Sequence, residues 1–281
     1  MIVITGATGN VGTPLVRALA EAGAEVTAVS RGVTSAAVPE GVRHRPADLA
    51  DPESLRPVLK GADALFLHDT GAGAQALRPR EILDIAKAGG VRRVVLLSSI
   101  GVVTRPDSAS HGRTGRSIQE AVQASGLDWT ILRPGAFDSN AYAWAESVRT
   151  RRTAAAPFGD VGLPTVDPAD IAEVAAAALR LDGHAGQIYE LTGPVRTTPR
   201  ERAAALGAAL GEPVRFVEQT REEAHAQLAQ FMPEPVLETT LAILGEPTPV
   251  EQRISPDIEK VLGRAPRSFA DWAARNIAAF R

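Results

Sequence analysis

Cysteine is absent from all 281 residues, so the chain can form no disulfide, offer no thiolate nucleophile and ligate no zinc or iron–sulfur centre through sulfur. No metal site is expected. An excess of charge of one sign is also missing. The 30 basic and 33 acidic side chains leave a net charge of -3, which gives neither a nucleic acid nor an anionic membrane an electrostatic reason to bind. The short basic cluster Arg149, Arg151 and Arg152 reads as a solvated helix end. No apolar run approaches the ~20 residues of a membrane span, and an apolar strand beginning at Ile2 leaves no room for a signal peptide ahead of it. The cytoplasm is therefore the expected compartment. Internal repeats are lacking too, and so is low complexity beyond a richness in alanine. What remains is 44% hydrophobic and 22% charged, the balance of an ordinary globular chain long enough to bury a substantial core.

That chain alternates. A short β-branched run at 1–5 is closed by glycine, and a helical stretch at 12–22 follows with Val11, Leu15, Val16 and Leu19 at helical spacing. Gly23 sits where a helix-terminating glycine belongs, and 25–30 is a second strand. Strands at 64–67, 93–97 and 129–132 then alternate with helices near 80–88 and 117–124. A helix at 170–181 and a strand at 187–191 return to the pattern, after which the chain reads as mostly helical with proline breaks. The expected fold is α/β: a Rossmann-type, doubly wound parallel sheet with a smaller, mostly helical C-terminal substrate lobe. The nucleotide-binding part is expected at 1–135 plus about 166–191, and the lobe at 136–165 and 192–281.

Gly6-Ala7-Thr8-Gly9-Asn10-Val11-Gly12 stands between the first strand and the first helix. There the first glycine permits a tight turn, the second lets the backbone approach a pyrophosphate, and the third lets helix and strand pack closely. The helix tip offers free N–H groups and partial positive charge to the anion. Gly6, Thr8, Gly9, Asn10, Val11 and Gly12 are thus candidate cofactor residues. The second strand ends in Ser30-Arg31 with no carboxylate. Arg31 can pair with the 2′-phosphate of NADP(H), which makes NADP(H) the expected cofactor and NAD(H) the alternative; a loop arginine can equally be a surface residue.

The same residues resemble the atypical short-chain dehydrogenases of the NmrA-like, NAD(P)H-binding, quinone-reductase-like type. The resemblance is carried by 5–12, by Ala47-Asp48-Leu49, by Val94 to Ser99, by 125–135 (SGLDWTILRPG), and by Asp170-Ile171-Ala172 and Leu191-Thr192-Gly193-Pro194. It implies that Asp48, with Leu49, lies near the adenine, although Asp48 can instead cap the helix that follows. It also implies that Leu67-His68-Asp69-Thr70 passes the cofactor ribose, with a polar strand-end turn as the alternative for His68, and that Ser98 and Ser99 end a strand facing the nicotinamide.

Many relatives of this kind use a tyrosine followed four residues later by a lysine. Here the tyrosines are Tyr142 and Tyr189, followed at that distance by Glu146 and Gly193, and the usual dyad positions align with Gly112 and Arg116. A subgroup carries His-Gly-Arg, then Ser or Thr, then Glu; here the string is His111-Gly112-Arg113-Thr114-Gly115, with no carboxylate. His111 remains the candidate proton donor, or else a solvent-facing loop residue. The resemblance implies an NADPH-dependent reductase of a small planar organic substrate, a quinone or conjugated carbonyl compound, working without a Tyr/Lys dyad. A non-catalytic NADP(H)-binding redox sensor is the alternative. Phe137, Tyr142 and Trp144 either wall the substrate or pack a core, and Asn140 is a candidate hydrogen-bond partner of the acceptor. A monomer or homodimer is expected.

Overall fold

The computed structural model describes residues 1–32, 38–68 and 76–281, the side chains of Ala109 and Ser110 apart. Nine strands are formed among the described residues: β1 (Ile2–Thr5), β2 (Val26–Ser30), β3 (Arg43–Pro46), β4 (Ala64–His68), β5 (Arg93–Leu97), β6 (Asp128–Pro134), β7 (Thr153–Pro157), β8 (Gln187–Leu191) and β9 (Arg215–Gln219). The helices are α1 (Gly12–Glu21), α2 (Arg56–Leu59), α3 (Pro79–Gly89), α4 (Gly101–Thr104), α5 (Thr114–Gln123), α6 (Ala145–Arg151), α7 (Pro168–Arg180), α8 (Pro199–Leu210), α9 (Arg221–Leu228), α10 (Glu234–Gly245), α11 (Asp257–Leu262) and α12 (Phe269–Asn276). Among the described residues no helix is long and apolar enough to cross a membrane.

Seven strands form one parallel sheet in the order β3-β2-β1-β4-β5-β6-β8. The order reverses between β1 and β4, and at such a switch point the flanking connections leave in opposite directions and open a crevice at the strand ends. Strand alternation feeds two cores. Ile2 and Ile4 face α1 and α7 together with Phe66, Val95 and Leu132; Val3, Leu65, Leu67, Val94 and Leu96 face α2, α3 and α5. Period two in sequence thus becomes two apolar layers.

Most of the expected elements occur within a few residues of the expected bounds. β3 is an addition: Arg43–Pro46 is polar and largely exposed, without apolar alternation, and exists because its backbone pairs with β2 at the sheet edge. The lobe is mostly helical as expected, and to its helices it adds one small parallel pair, β7 with β9. Its core joins Trp144, Val148 and Ala154 to α8 and α12, and α9 with α10 adds a small cluster around Leu237 and Leu241. α11 packs back on α7 and β8, with Ile258 fully buried in the sheet's own core.

Candidate active site

The glycine loop is assembled at the end of β1, where the Thr5 hydroxyl donates to the Phe66 carbonyl of β4 at 2.8 Å. Gly6 turns the chain at φ +63°, a conformation that glycine adopts without cost. The Gly9 N–H closes the turn on the Gly6 carbonyl at 3.0 Å, and the Ala7 N–H ties it to Val29 of β2 at 3.1 Å. At Gly12 an added Cβ would stand 2.0 Å from the Gly6 oxygen and 2.8 Å from the Ala7 Cα, so only glycine lets α1 press this closely on the turn.

The tip of α1 is left open. Its N-cap is Val11, which makes no side-chain cap bond, and no acidic residue lies in the first turn. By contrast α8, α9 and α12 each begin with a reciprocal capping box. An uncapped helix start presents N–H groups and the positive end of the helix dipole, so the residues present fit the paired phosphates of a dinucleotide.

Above this tip lies a cleft of about 710 Å³. It is lined by Gly6, Thr8, Gly9, Asn10, Val11 and Gly12 of the loop, and by Arg31, Asp48, Leu49 and His68. Arg31 is exposed just past the end of β2. Asp48 lines the cleft and also closes its own turn, Oδ1 accepting from the Ala50 N–H at 3.0 Å; the 3₁₀ turn Pro52–Leu55 starts instead at Asp51 without a side-chain cap. The His68 ring lies on Gly6, where a Cβ would approach its Nε2 to 2.6 Å. Asp69 and Thr70 lie outside the described residues. Asn10 reaches away from the loop and donates through Nδ2 to Ser139 Oγ at 3.1 Å, fastening the phosphate loop to the chain that enters the lobe.

Several expected residues lie elsewhere. Ser98 is 6% exposed and accepts from Gln119 Nε2 at 2.7 Å, while Gln119 Oε1 accepts from Arg133 at 2.6 Å. Strand alternation explains this: Leu97 lines the cleft, so the next residue must face α5. Phe137 lines the cleft, but Tyr142 and Trp144 belong to the lobe's packing. The Tyr142 ring sits 5.1 Å from Trp272 and 5.9 Å from Phe280, and its hydroxyl donates to Asn276 at 2.7 Å. Trp144 is buried and donates to the Ala155 carbonyl at 2.8 Å. Asn140 is exposed on the turn before α6 and does not line the cleft. Arg116 lines a separate groove of about 350 Å³ with Arg133 and Gln123. Gly115, not Arg116, is on the buried face of α5, and His111 precedes it by one helical turn.

His111 is half-buried rather than a solvent-facing loop residue. It sits in a single π-helical turn (Ala109–Arg113) that leads into α5, and the Ser108 hydroxyl accepts from the His111 and Gly112 N–H groups. Its ring rests on Gly101, where a Cβ would meet the His111 Cβ at 2.8 Å. Burial holds the imidazole below the ordinary histidine range, and the negative charge of Glu251 offsets only part of that. At Gly115 a Cβ would lie 2.6 Å from Val102 Cγ2, so Val102 fills the space a side chain there would need.

Asp138, between cleft-lining Phe137 and Ser139, is fully buried, and neither carboxylate oxygen has a hydrogen-bond partner among the described residues. Burial raises its pKa to about 7; the Asp167 and Asp170 charges add to the rise, while Thr165 and the Arg202 guanidinium oppose it. Arg202 is 8% exposed and lies 5.6 and 5.9 Å from the Trp144 and Phe269 rings. The polar string around 138 gives no sequence signal of this burial, which comes from distant segments that bring Thr165, Asp167 and Arg202 around it.

Residues 6–182 match the model of the NAD(P)H-binding family. The chain is 35% identical, over 100% of its length and 99% of the relative's, to the (4-alkanoyl-5-oxo-2,5-dihydrofuran-3-yl)methyl phosphate reductase of Streptomyces griseus. It is 34% identical to the NAD(P)H azoreductase of Xenophilus azovorans, over 100% of this chain and 99% of that one. In structure it is similar to the NADPH-dependent quinone oxidoreductase of Escherichia coli in complex with NADPH, with a TM-score of 0.80, 24% identity and coverage of 98% and 99% of the two chains.

Proposed function

Because the chain belongs to the NAD(P)H-binding family and is of its NmrA-like, quinone-reductase-like type, we propose that this NAD(P)H-dependent oxidoreductase is an NADPH-dependent reductase of quinones or other conjugated carbonyl compounds. The observation that supports the substrate class is the turn leading into α5, which offers the half-buried imidazole of His111 and, at Gly115, no carboxylate, Val102 closing the space there. An acceptor that delocalises incoming negative charge needs only a weak proton source, whereas an isolated ketone needs a strong acid beside its oxygen. The full-length relatives, named for an oxo-dihydrofuran phosphate and for azo compounds, support the reading.

The open tip of α1 would hold the paired phosphates of NADPH and Arg31, at the end of β2, its 2′-phosphate; the cofactor would supply the hydride. Phe137 walls the cleft and helps to keep water from the reacting face. His111 donates the proton that the acceptor oxygen takes up.

The test is NADPH oxidation with a panel of benzoquinones, naphthoquinones, conjugated enones and isolated ketones. Turnover is expected on the conjugated acceptors and not on isolated ketones. His111→Asn should lower kcat by about tenfold, less than the roughly hundredfold or more of an indispensable general acid, because water can protonate the hydroquinone monoanion that hydride transfer leaves. A preference for isolated ketones would contradict the substrate class, and saturable NADPH binding without turnover on any acceptor would assign the redox-sensor role.

Cofactor preference has its own test. Arg31→Ala should raise the Kd for NADPH about tenfold, the value of one exposed charge-assisted contact, and leave NADH unchanged. Fluorescence titration with both nucleotides reads this; equal losses for the two would place Arg31 away from the 2′-phosphate.

A further inference from the structure

The turn that holds His111 is clamped by the lobe. Arg105, just past α4, donates through Nε and Nη2 to the two oxygens of Glu251, each at 2.9 Å, and its Nη2 also reaches the Glu246 carbonyl at 2.9 Å. The Glu251 side chain is only 3% exposed, and its Oε2 accepts from the Thr248 N–H at 2.8 Å. Beneath the pair, the backbone of Arg105 and Pro106 packs so closely on the His111 turn that a Cβ at Gly112 would stand 2.2 Å from the Arg105 oxygen. α10 lies against the same turn. Charged groups reach the His111 turn from several elements. Asp107 and Arg113, on its own segment, are exposed; α4 contributes Arg105 at its end; α10 ends in Glu246, which gives Arg105 its carbonyl; and the turn beyond contributes Glu251.

We propose that Glu251 is a positioning residue for His111, a carboxylate partner that the lobe brings to the proton donor through Arg105 because no side chain fits at Gly115. A bidentate arginine fixes both the place and the charge of a buried carboxylate. Burial alone would push the Glu251 carboxyl up, but the bonds from Arg105 and Thr248 outweigh it and hold the group below the ordinary range, hence ionised. That fixed negative charge favours the imidazolium over the neutral ring. It offsets part of the downward pull that burial exerts on the His111 imidazole. This inference rests on the reading of His111 as proton donor given above.

The experiment is an NMR titration of the His111 imidazole, in parallel with the pH profile of kcat/KM on a quinone, in the wild type, Glu251→Gln and Glu251→Asp. The first variant removes the charge; the second keeps it. In Glu251→Gln the His111 titration should move down by about one pH unit, and the high-pH limb of kcat/KM should follow, while Glu251→Asp stays close to the wild type. Replacing both partners, Arg105→Met with Glu251→Met, strands neither charge; if Glu251→Gln does not fold, this pair should move the His111 titration in the same direction by less, because the arginine's opposing charge goes too. His111 titrating alike in all variants would overturn the inference, whatever happens to thermal stability. The two readings fail separately. If the titration shifts while His111→Asn keeps full turnover, the coupling stands and the donor role falls; if His111→Asn loses turnover with no titration shift, only the role of Glu251 falls.

Discussion

Gly12→Ala should weaken NADPH binding by at least about a hundredfold, equivalent to about 3 kcal/mol, with the sheet intact by circular dichroism. The methyl carbon would lie 2.0 Å from the Gly6 oxygen and 2.8 Å from the Ala7 Cα. Neither atom belongs to a flexible side chain, so the start of α1 must move off the turn. Moving it displaces the N–H groups that the uncapped helix tip offers to phosphate. The neighbouring glycine gives a graded comparison, because at Gly9 the nearest atom to an added Cβ is the same oxygen at 3.2 Å. That contact relaxes with a shift of a few tenths of an ångström, and Gly9→Ala should cost about tenfold. Calorimetric titration with NADPH measures both. Equal, small losses would mean that the close approach of helix and turn does not govern the site.

The second large effect is on stability. Asp138→Asn should make the protein more stable in alkaline solution and flatten its pH dependence. The Asp138 carboxyl has a pKa of about 7 in the fold against 3.8 for an ordinary aspartate. A folded pKa above the unfolded one means that the native state keeps a proton the unfolded chain releases. The stability this proton contributes is complete below pH 3.8 and is lost as pH rises through about 7. Asparagine mimics the protonated acid at every pH, so its advantage over the wild type should grow by about 3 kcal/mol from about pH 5 to about pH 8. Urea unfolding at the two values reads the difference directly. Parallel curves for the two proteins would show that Asp138 does not carry the shift. Because Ser139 next to it is bonded to Asn10 of the phosphate loop, the same titration in the presence of NADPH shows whether the buried acid is felt at the cofactor site.

The parts of the fold legible in the sequence are those set by local pattern. β5 at Arg93–Leu97 and β8 at Gln187–Leu191 have the bounds the apolar runs imply, and α1 follows the helical spacing of Leu15, Val16 and Leu19. β3, β7 and β9 were not legible, because Arg-His-Arg-Pro and Thr-Ala-Ala-Ala-Pro carry no alternation and become strands only through partners elsewhere in the chain. The phosphate loop was legible because backbone geometry demands glycine at fixed places. Ser98 was misplaced by one residue of strand parity, a signal that Val95 and Leu97 on the opposite face could have given. The surroundings of His111 were not legible, since Val102 filling the space at Gly115 and Glu251, 146 residues from Arg105, are matters of packing between distant segments. Tyr142 and Trp144 show the reverse: aromatic residues beside a loop suggest a substrate wall, while Trp144 packs into the core of α8 and α12 and exposed Tyr142 rests on Trp272 and Phe280.

The account depends most on the glycine turn and the open helix tip binding a dinucleotide. Isothermal titration calorimetry of the wild-type protein with NADPH and NADH tests this most directly. A saturable heat with NADPH, weaker with NADH and largely lost in Gly12→Ala, is the predicted result. No heat from either nucleotide at millimolar concentration would contradict it.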